Sequence, residues 1–185
     1  MKCIFIIGYM ASGKTTFGRA LAREIGWNFI DLDFYIEQRF HKTIREIFAT
    51  EGENKFRNIE TAMLKEVGEF ENTVVSCGGG TPCYFDNMEY MNRTGYTVFL
   101  DTTTECLVKR LIANNSRRPL MAGKSDLEIR EQVENGLITR RPFYSRALIH
   151  FGGDNLEDLH QIEDSIYEFR KILEEKEIIN QTPVS

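Results

Sequence analysis

The chain has 185 residues, of which 42% are hydrophobic and 28% charged. That is the make-up of one ordinary globular domain, long enough to bury a substantial core. A formal net charge of -5 and a pI near 5.4 argue against nucleic acid or an anionic membrane as partner, since both attract basic surfaces.

The first strand is the apolar run Cys3 to Ile7, which leads directly into Gly8-Tyr9-Met10-Ala11-Ser12-Gly13-Lys14-Thr15, of the form G-x-x-x-x-G-K-T. A strand feeding a glycine-bounded loop that opens a helix is the context in which this spacing builds a phosphate site. The glycines let successive N–H groups converge on one nest, and the helix beginning near Lys14 adds its positive end. Lys14 then reaches the transferring phosphates while the Thr15 hydroxyl serves a magnesium ion. The motif predicts a nucleoside triphosphate site, with Ala11, Ser12, Gly13, Lys14, Thr15 and Thr16 along the phosphates.

Phe17, Leu21 and Ile25 recur at helical spacing, and Gly26 closes that helix. Asn28 to Ile30 reads as a short strand ending in Asp31-Leu32-Asp33. Carboxylates at i and i+2 of a strand share a face, so both can look toward the phosphate loop if the strands are neighbours. The competing reading is that one of them caps the helix over Phe34 to Phe40. Ile44 to Phe48, a break at Gly52, and a helix from about Glu53 to Val67 follow, with Phe56, Ile59, Met63 and Val67 on its buried side. Arg57 lies between Glu53 and Glu60 at i-4 and i+3, which suits either a helix-surface ion pair or a ligand contact.

A third strand, Thr73 to Ser76, runs into Cys77-Gly78-Gly79-Gly80-Thr81-Pro82. Three glycines in a row cost chain entropy that a plain turn does not require, which points to close approach of a ligand or another backbone. Thr97 to Leu100 form a fourth strand, and Asp101 after it imitates the magnesium-coordinating carboxylate of many P-loop proteins but is read by preference as the cap of the helix running to about Ile112. From Ala113 to Ser125 periodicity lapses in a polar loop carrying Arg117 and Arg118, a length and character that suit an active-site lid. The next helix starts near Asp126, presents Ile129, Val133 and Leu137 on one face, and is expected to stop at Pro142, leaving Arg140 and Arg141 at its end. Ala147 to Phe151 supply a fifth strand. Leu159, Ile162, Ile166, Phe169 and Leu173 share a helix face that packs on the sheet, and residues after about Glu177 are expected to fray.

No apolar run approaches a membrane span, and the N-terminus has no signal-peptide layout. Cys3, Cys77, Cys83 and Cys106 lie far apart, with no C-x-x-C pair, as expected of buried thiols in a reduced compartment. His41, His150 and His160 are scattered, so nothing supports a zinc site.

The segments GYMASGKTTFGRALA, DLD at 31 to 33, the glycine, arginine and glutamate around Gly52 and Arg57, CGGGTPC, RRPLM and RRPFYSRA, in that order, resemble shikimate kinase, within the nucleoside monophosphate kinase-like branch of P-loop proteins. The resemblance covers nearly the whole chain. It implies a three-layer α/β/α P-loop kinase fold with a five-stranded parallel sheet of order 2-3-1-4-5. It implies one kinase domain over 1–185, with a substrate-binding region at about 34–59 and a lid near 113–125. The implied reaction moves the γ-phosphate of ATP to the 3-hydroxyl of shikimate, with Mg2+, in a cytoplasmic monomer without nucleic-acid or membrane partners. By the same resemblance Asp33 is the candidate base, and Asp31 holds magnesium through water beside Thr15. Arg57, Gly78, Gly79, Gly80 and Arg140 bind shikimate, the two arginines gripping its carboxylate, for which a planar fork is suited. Lys14 and Arg118 act on the transferring phosphate, and Arg110 stacks on adenine. A kinase of another small polyol such as gluconate shares the P-loop and lid but has no need of two arginines facing one carboxylate. A nucleotide-dependent switch needs a guanine-reading N-K-x-D, and Asn54-Lys55-Phe56-Arg57 lacks its Asp.

Overall fold

The computed structural model describes residues 3–113 and 123–179. Five parallel strands, β1 (Cys3–Ile7), β2 (Asn28–Asp31), β3 (Thr73–Ser76), β4 (Gly95–Asp101) and β5 (Ile149–Gly152), form one sheet of order β2-β3-β1-β4-β5. Among the described residues seven helices cover it, α1 (Lys14–Ile25), α2 (Leu32–Phe40), α3 (Ile44–Val67), α4 (Asn87–Thr94), α5 (Thr104–Ala113), α6 (Asp126–Tyr144) and α7 (Leu159–Glu175). A 3-10 turn spans Thr81–Cys83. All of β1 is buried, as a central parallel strand covered on both faces must be. Cys3, Phe5 and Ile7 point into the core under α2 to α6, and Ile4 and Ile6 into the one under α1 and α7. These are the three layers and the strand order expected from the sequence.

The order reverses between β1 and β3, and in an open α/β sheet the crevice outside the strand ends at such a switch is where a ligand fits. Ile6 pairs with Ser76 and Asp31 with the same Ser76. The Cys77 N–H then donates to the Ile6 carbonyl at 3.0 Å, so the phosphate loop, the DLD segment and the glycine run leave the sheet side by side.

Several local expectations change. The strand β2 ends at Asp31, whose Oδ1 accepts from the Phe34 N–H at 3.3 Å and caps α2. Asp33 therefore stands in the first helical turn, and its meeting with Asp31 at the cleft comes from that turn and not from strand alternation. The break at Gly52 is a kink inside α3, with φ 79 and ψ 169. Beyond it Phe56, Ile59 and Val67 are buried as expected, Glu60 and Leu64 join them, and Met63 is only partly buried at the edge. Asp101 does not cap α5: the Thr103 hydroxyl accepts from the Cys106 N–H at 3.3 Å. Asp101 pairs instead with Arg141 at 2.8 Å.

Pro142 does not stop α6, which continues to Tyr144. Near a helix end a proline removes a single hydrogen bond, and the buried Tyr144 anchors the last turn by donating to the Gly79 carbonyl at 2.5 Å. Leu159 is 77% exposed, since it opens α7 before the buried stripe begins, whereas Ile178 lies in the core where fraying was expected. The 3-10 turn and α4 carry too short a period to be read locally.

Candidate active site

A cleft of about 570 Å³ lies at the carboxyl ends of β1, β2 and β3. It is lined by the phosphate loop, Asp31, Asp33, Ser76, Cys77, Gly78 and Gly79, and at its far side by Lys109, Arg110, Ala113, Leu156 and Glu157. The loop conformation has local causes. Gly13 holds φ 99 as the residue before α1, a region open to glycine. Ala11 holds φ 64, which costs a residue with a Cβ on the order of 1 kcal/mol and persists only where the surroundings impose it. Part of that imposition is Arg110, whose guanidinium donates to the carbonyls of Ala11, Ser12, Gly153 and Asp154 at 3.4, 3.3, 2.9 and 2.7 Å. The Ser12 Oγ is buried and has no hydrogen-bond partner among the described residues. A buried orphan hydroxyl in a nest of backbone donors is what a phosphate oxygen would satisfy.

Lys14 Nζ donates to the Tyr9 carbonyl at 2.8 Å, so its ammonium sits over the loop. The Thr15 hydroxyl donates to Asp31 Oδ2 at 2.8 Å and has Ser76 Oγ 3.4 Å away. A hydroxyl that gives its proton to a carboxylate turns its lone pairs outward, and together these oxygens are hard donors of the kind magnesium takes. Among the described residues no group of three or more His, Cys, Asp and Glu stands together as an all-protein cage.

Each of the three consecutive glycines faces a different charged side chain. A Cβ on Gly78 would stand 2.9 Å from Glu60 Oε1 and 3.1 Å from Asp33 Oδ1. One on Gly79 would stand 3.2 Å from Arg140 Nη1, and one on Gly80 2.9 Å from Arg57 Nη1. None of the three has positive φ, so a side chain here would meet no backbone strain but would have to displace the charged groups that crowd the turn.

Burial pushes the Asp33 carboxyl up to about 6, the nearby Asp31 and Glu60 carboxylates adding to the effect and Lys14 opposing it. Arg57 is held by Glu60 Oε2 and Glu53 Oε1, each at 3.0 Å, under the Tyr84 ring at 4.1 Å. Both readings of Arg57 thus describe one geometry: the ion pairs exist, and they fix a guanidinium against the glycine turn. Glu60 itself is 1% exposed and its other oxygen accepts from Thr81 Oγ1 at 2.6 Å. Its pairing with Arg57 was expected from the spacing but its burial was not, although a glutamate falling between Phe56 and Leu64 at spacing four was the available signal. Tyr9, Tyr144 and Ser76 were also missed, and nothing local marks them.

Arg140 and Arg141 diverge, since neighbours on a helix are turned by about 100°. Arg140 lies over the Tyr9 ring at 5.3 Å and against Gly79, while Arg141 reaches away to Asp101. Arg117 and Arg118, with nearly all of the stretch expected to form a lid, lie outside the described residues.

With this geometry in place, comparison with known proteins is informative. The sequence profile described as shikimate kinase matches residues 10–173. A protein named shikimate kinase from Phocaeicola vulgatus is 54% identical over 173 residues, 94% of this chain and 99% of that protein. The crystal structure of a shikimate kinase from Bacteroides thetaiotaomicron superposes with a TM-score of 0.91 at 50% identity, covering 94% of this chain and 98% of the other. A shikimate kinase from Acinetobacter baumannii, solved in complex with shikimate, superposes at 0.81 with 30% identity and 95% coverage of each chain.

Proposed function

The chain belongs to the shikimate kinase family, and from that membership we propose how its residues divide the transfer of the γ-phosphoryl group of ATP to the 3-hydroxyl of shikimate, on the route to aromatic amino acids. The observation that carries the reading is the glycine turn at 78–80, which meets Asp33, Arg140 and Arg57 in succession beside a phosphate loop. Two guanidiniums beside a hydroxyl-binding carboxylate suit a ligand that bears a carboxylate and hydroxyls, as shikimate does.

In this division the nest of residues 11–16 and Lys14 cradle the phosphates, and Asp33 orients the attacking hydroxyl and takes its proton. Arg57 and Arg140 hold the shikimate carboxylate, and Gly78 to Gly80 let the ring approach the backbone. Thr15 and Asp31 would hold Mg2+, which when bound offsets the phosphates' charge. Arg110, pinned to four carbonyls, offers the face of its guanidinium to adenine, and Arg118 supplies a further charge to the transferring phosphate. Among the described residues no helix is long and apolar enough to cross a membrane, and we take the protein as a cytoplasmic monomer.

ADP release measured with shikimate, gluconate, nucleoside monophosphates and no acceptor should depend on shikimate and on magnesium. Equal ATP turnover with and without shikimate would remove the assignment. Arg140→Ala should weaken shikimate binding by about 2 kcal/mol or more with little change for ATP. Arg141→Ala, which loses a surface pair worth at most about 1 kcal/mol, should leave shikimate affinity close to the parent's. The reverse ranking would place the contact on Arg141.

A further inference from the structure

One face of α6 carries Gln132, Gly136, Arg140 and Tyr144 at a constant spacing of four, and all four touch the cleft-forming loops. The Tyr9 hydroxyl, from the second residue of the phosphate loop, donates to the Gln132 carbonyl at 3.1 Å. The hydroxyl end of its ring packs against Gly136, where an added Cβ would stand 2.7 and 2.8 Å from ring carbons. One turn later the Arg140 guanidinium covers the same ring at 5.3 Å. Another turn on, Tyr144 donates to the Gly79 carbonyl. Tyr9 is 3% exposed, so the ring is wedged between the nucleotide loop and the helix that bears the arginine.

We infer that Tyr9 is a positioning residue for shikimate: its ring is the platform that orients Arg140 toward the substrate carboxylate, so the phosphate loop builds part of the acceptor site. The inference rests on the assignment of Arg140 to that carboxylate. A long arginine has many rotamers, and an aromatic face beneath the guanidinium, with the Tyr144 oxygen and Gly79 beside it, removes most of them before substrate arrives. Gly136 is needed because only a residue without a side chain leaves room for the ring. An alanine there would ordinarily favour the helix.

The test is calorimetric titration of the intact chain with shikimate and, separately, with ATP, on Tyr9→Phe, Tyr9→Leu, Gly136→Ala, Arg140→Ala and the double variant Tyr9→Leu/Arg140→Ala. Tyr9→Leu removes the platform and should weaken shikimate about tenfold, with a much smaller effect on ATP. Tyr9→Phe keeps the ring and should restore most of the affinity. Gly136→Ala, which displaces the ring, should weaken shikimate several-fold with a much smaller effect on ATP, a split that a merely structural glycine would not produce. In the Arg140→Ala background Tyr9→Leu should cost nothing further, because the group it positions has gone. Additive losses in the double variant, or equal losses for shikimate and ATP in Tyr9→Leu, overturn the inference. If Arg140→Ala alone binds shikimate like the parent, the assignment beneath it fails instead.

Discussion

Asp33→Asn is expected to lower kcat by about 10²- to 10⁴-fold while ATP still binds. Asparagine keeps the shape and the hydrogen-bonding oxygen but accepts no proton. Phosphoryl transfer passes through a loose transition state in which the nucleophile's proton leaves late, so the base is needed close to the end of the step. A carboxyl pushed up to about 6 by burial and by Asp31 and Glu60 is a stronger base than an ordinary aspartate while remaining ionised at neutral pH.

The same shift predicts an opposite effect on stability. Because the folded pKa is raised from 3.8 to about 6, the folded state binds the extra proton, and stability from this group is full below pH 3.8 and lost as pH rises through about 6. Asp33→Asn has no charge to bury, so at pH 8 it should be more stable than the parent by roughly 1 to 3 kcal/mol, an advantage that disappears by about pH 4. Thermal unfolding at the two pH values alongside steady-state kinetics tests both. Turnover within threefold of the parent would leave Asp33 as no more than a first-turn acid on α2.

Arg57→Ala should weaken shikimate by on the order of 2 to 5 kcal/mol, about 30- to 5000-fold in Kd. A shortfall in binding is ambiguous by itself, since Glu60, 1% exposed, would lose its main partner, and breaking a buried pair costs about 3 to 5 kcal/mol of stability. The double variant Arg57→Ala/Glu60→Gln separates the two effects. A neutral amide can still accept from Thr81, so Tm should recover while shikimate affinity stays low. Recovery of both would make Arg57 a structural partner of Glu60 and nothing more. Arg57→Lys is expected to fall between, since it retains the charge and loses the fork that Glu53 and Glu60 hold from two sides.

Much of the architecture was legible because the signals are local. The apolar run of β1, the 3.6-residue period of α1 and the glycine spacing of the phosphate loop each report on one element and its immediate neighbours, and they suffice to order strands and helices along the chain. The sheet order required the resemblance, since periodicity alone does not say that β3 inserts between β1 and β2. Local reading erred where a residue's partner was remote. Asp101 resembled a cap because threonines follow it, yet Arg141, 40 residues on, takes its carboxylate. Pro142 resembled a stop because nothing local shows Tyr144 bound to Gly79, 65 residues away.

The arginine-bearing segments were assigned through the resemblance, while from residue order alone came the glycine-bounded loop between a strand and a helix and the carboxylates that follow the second strand. These depend on backbone conformation and hydrophobic period, which neighbouring residues set. Which charged groups meet was decided in three dimensions. The pairing of Asp31 and Ile6 with the same Ser76 brings two loops together, and the turn of α6 sends Arg140 toward Tyr9 and Arg141 toward Asp101. The burial of Asp33 itself, with the Asp31 and Glu60 carboxylates brought close to it, raises its carboxyl. Electrostatic coupling falls with distance through space and is indifferent to distance along the chain, so it acquires a value only after the sheet has closed and the helices have taken their rotation upon it.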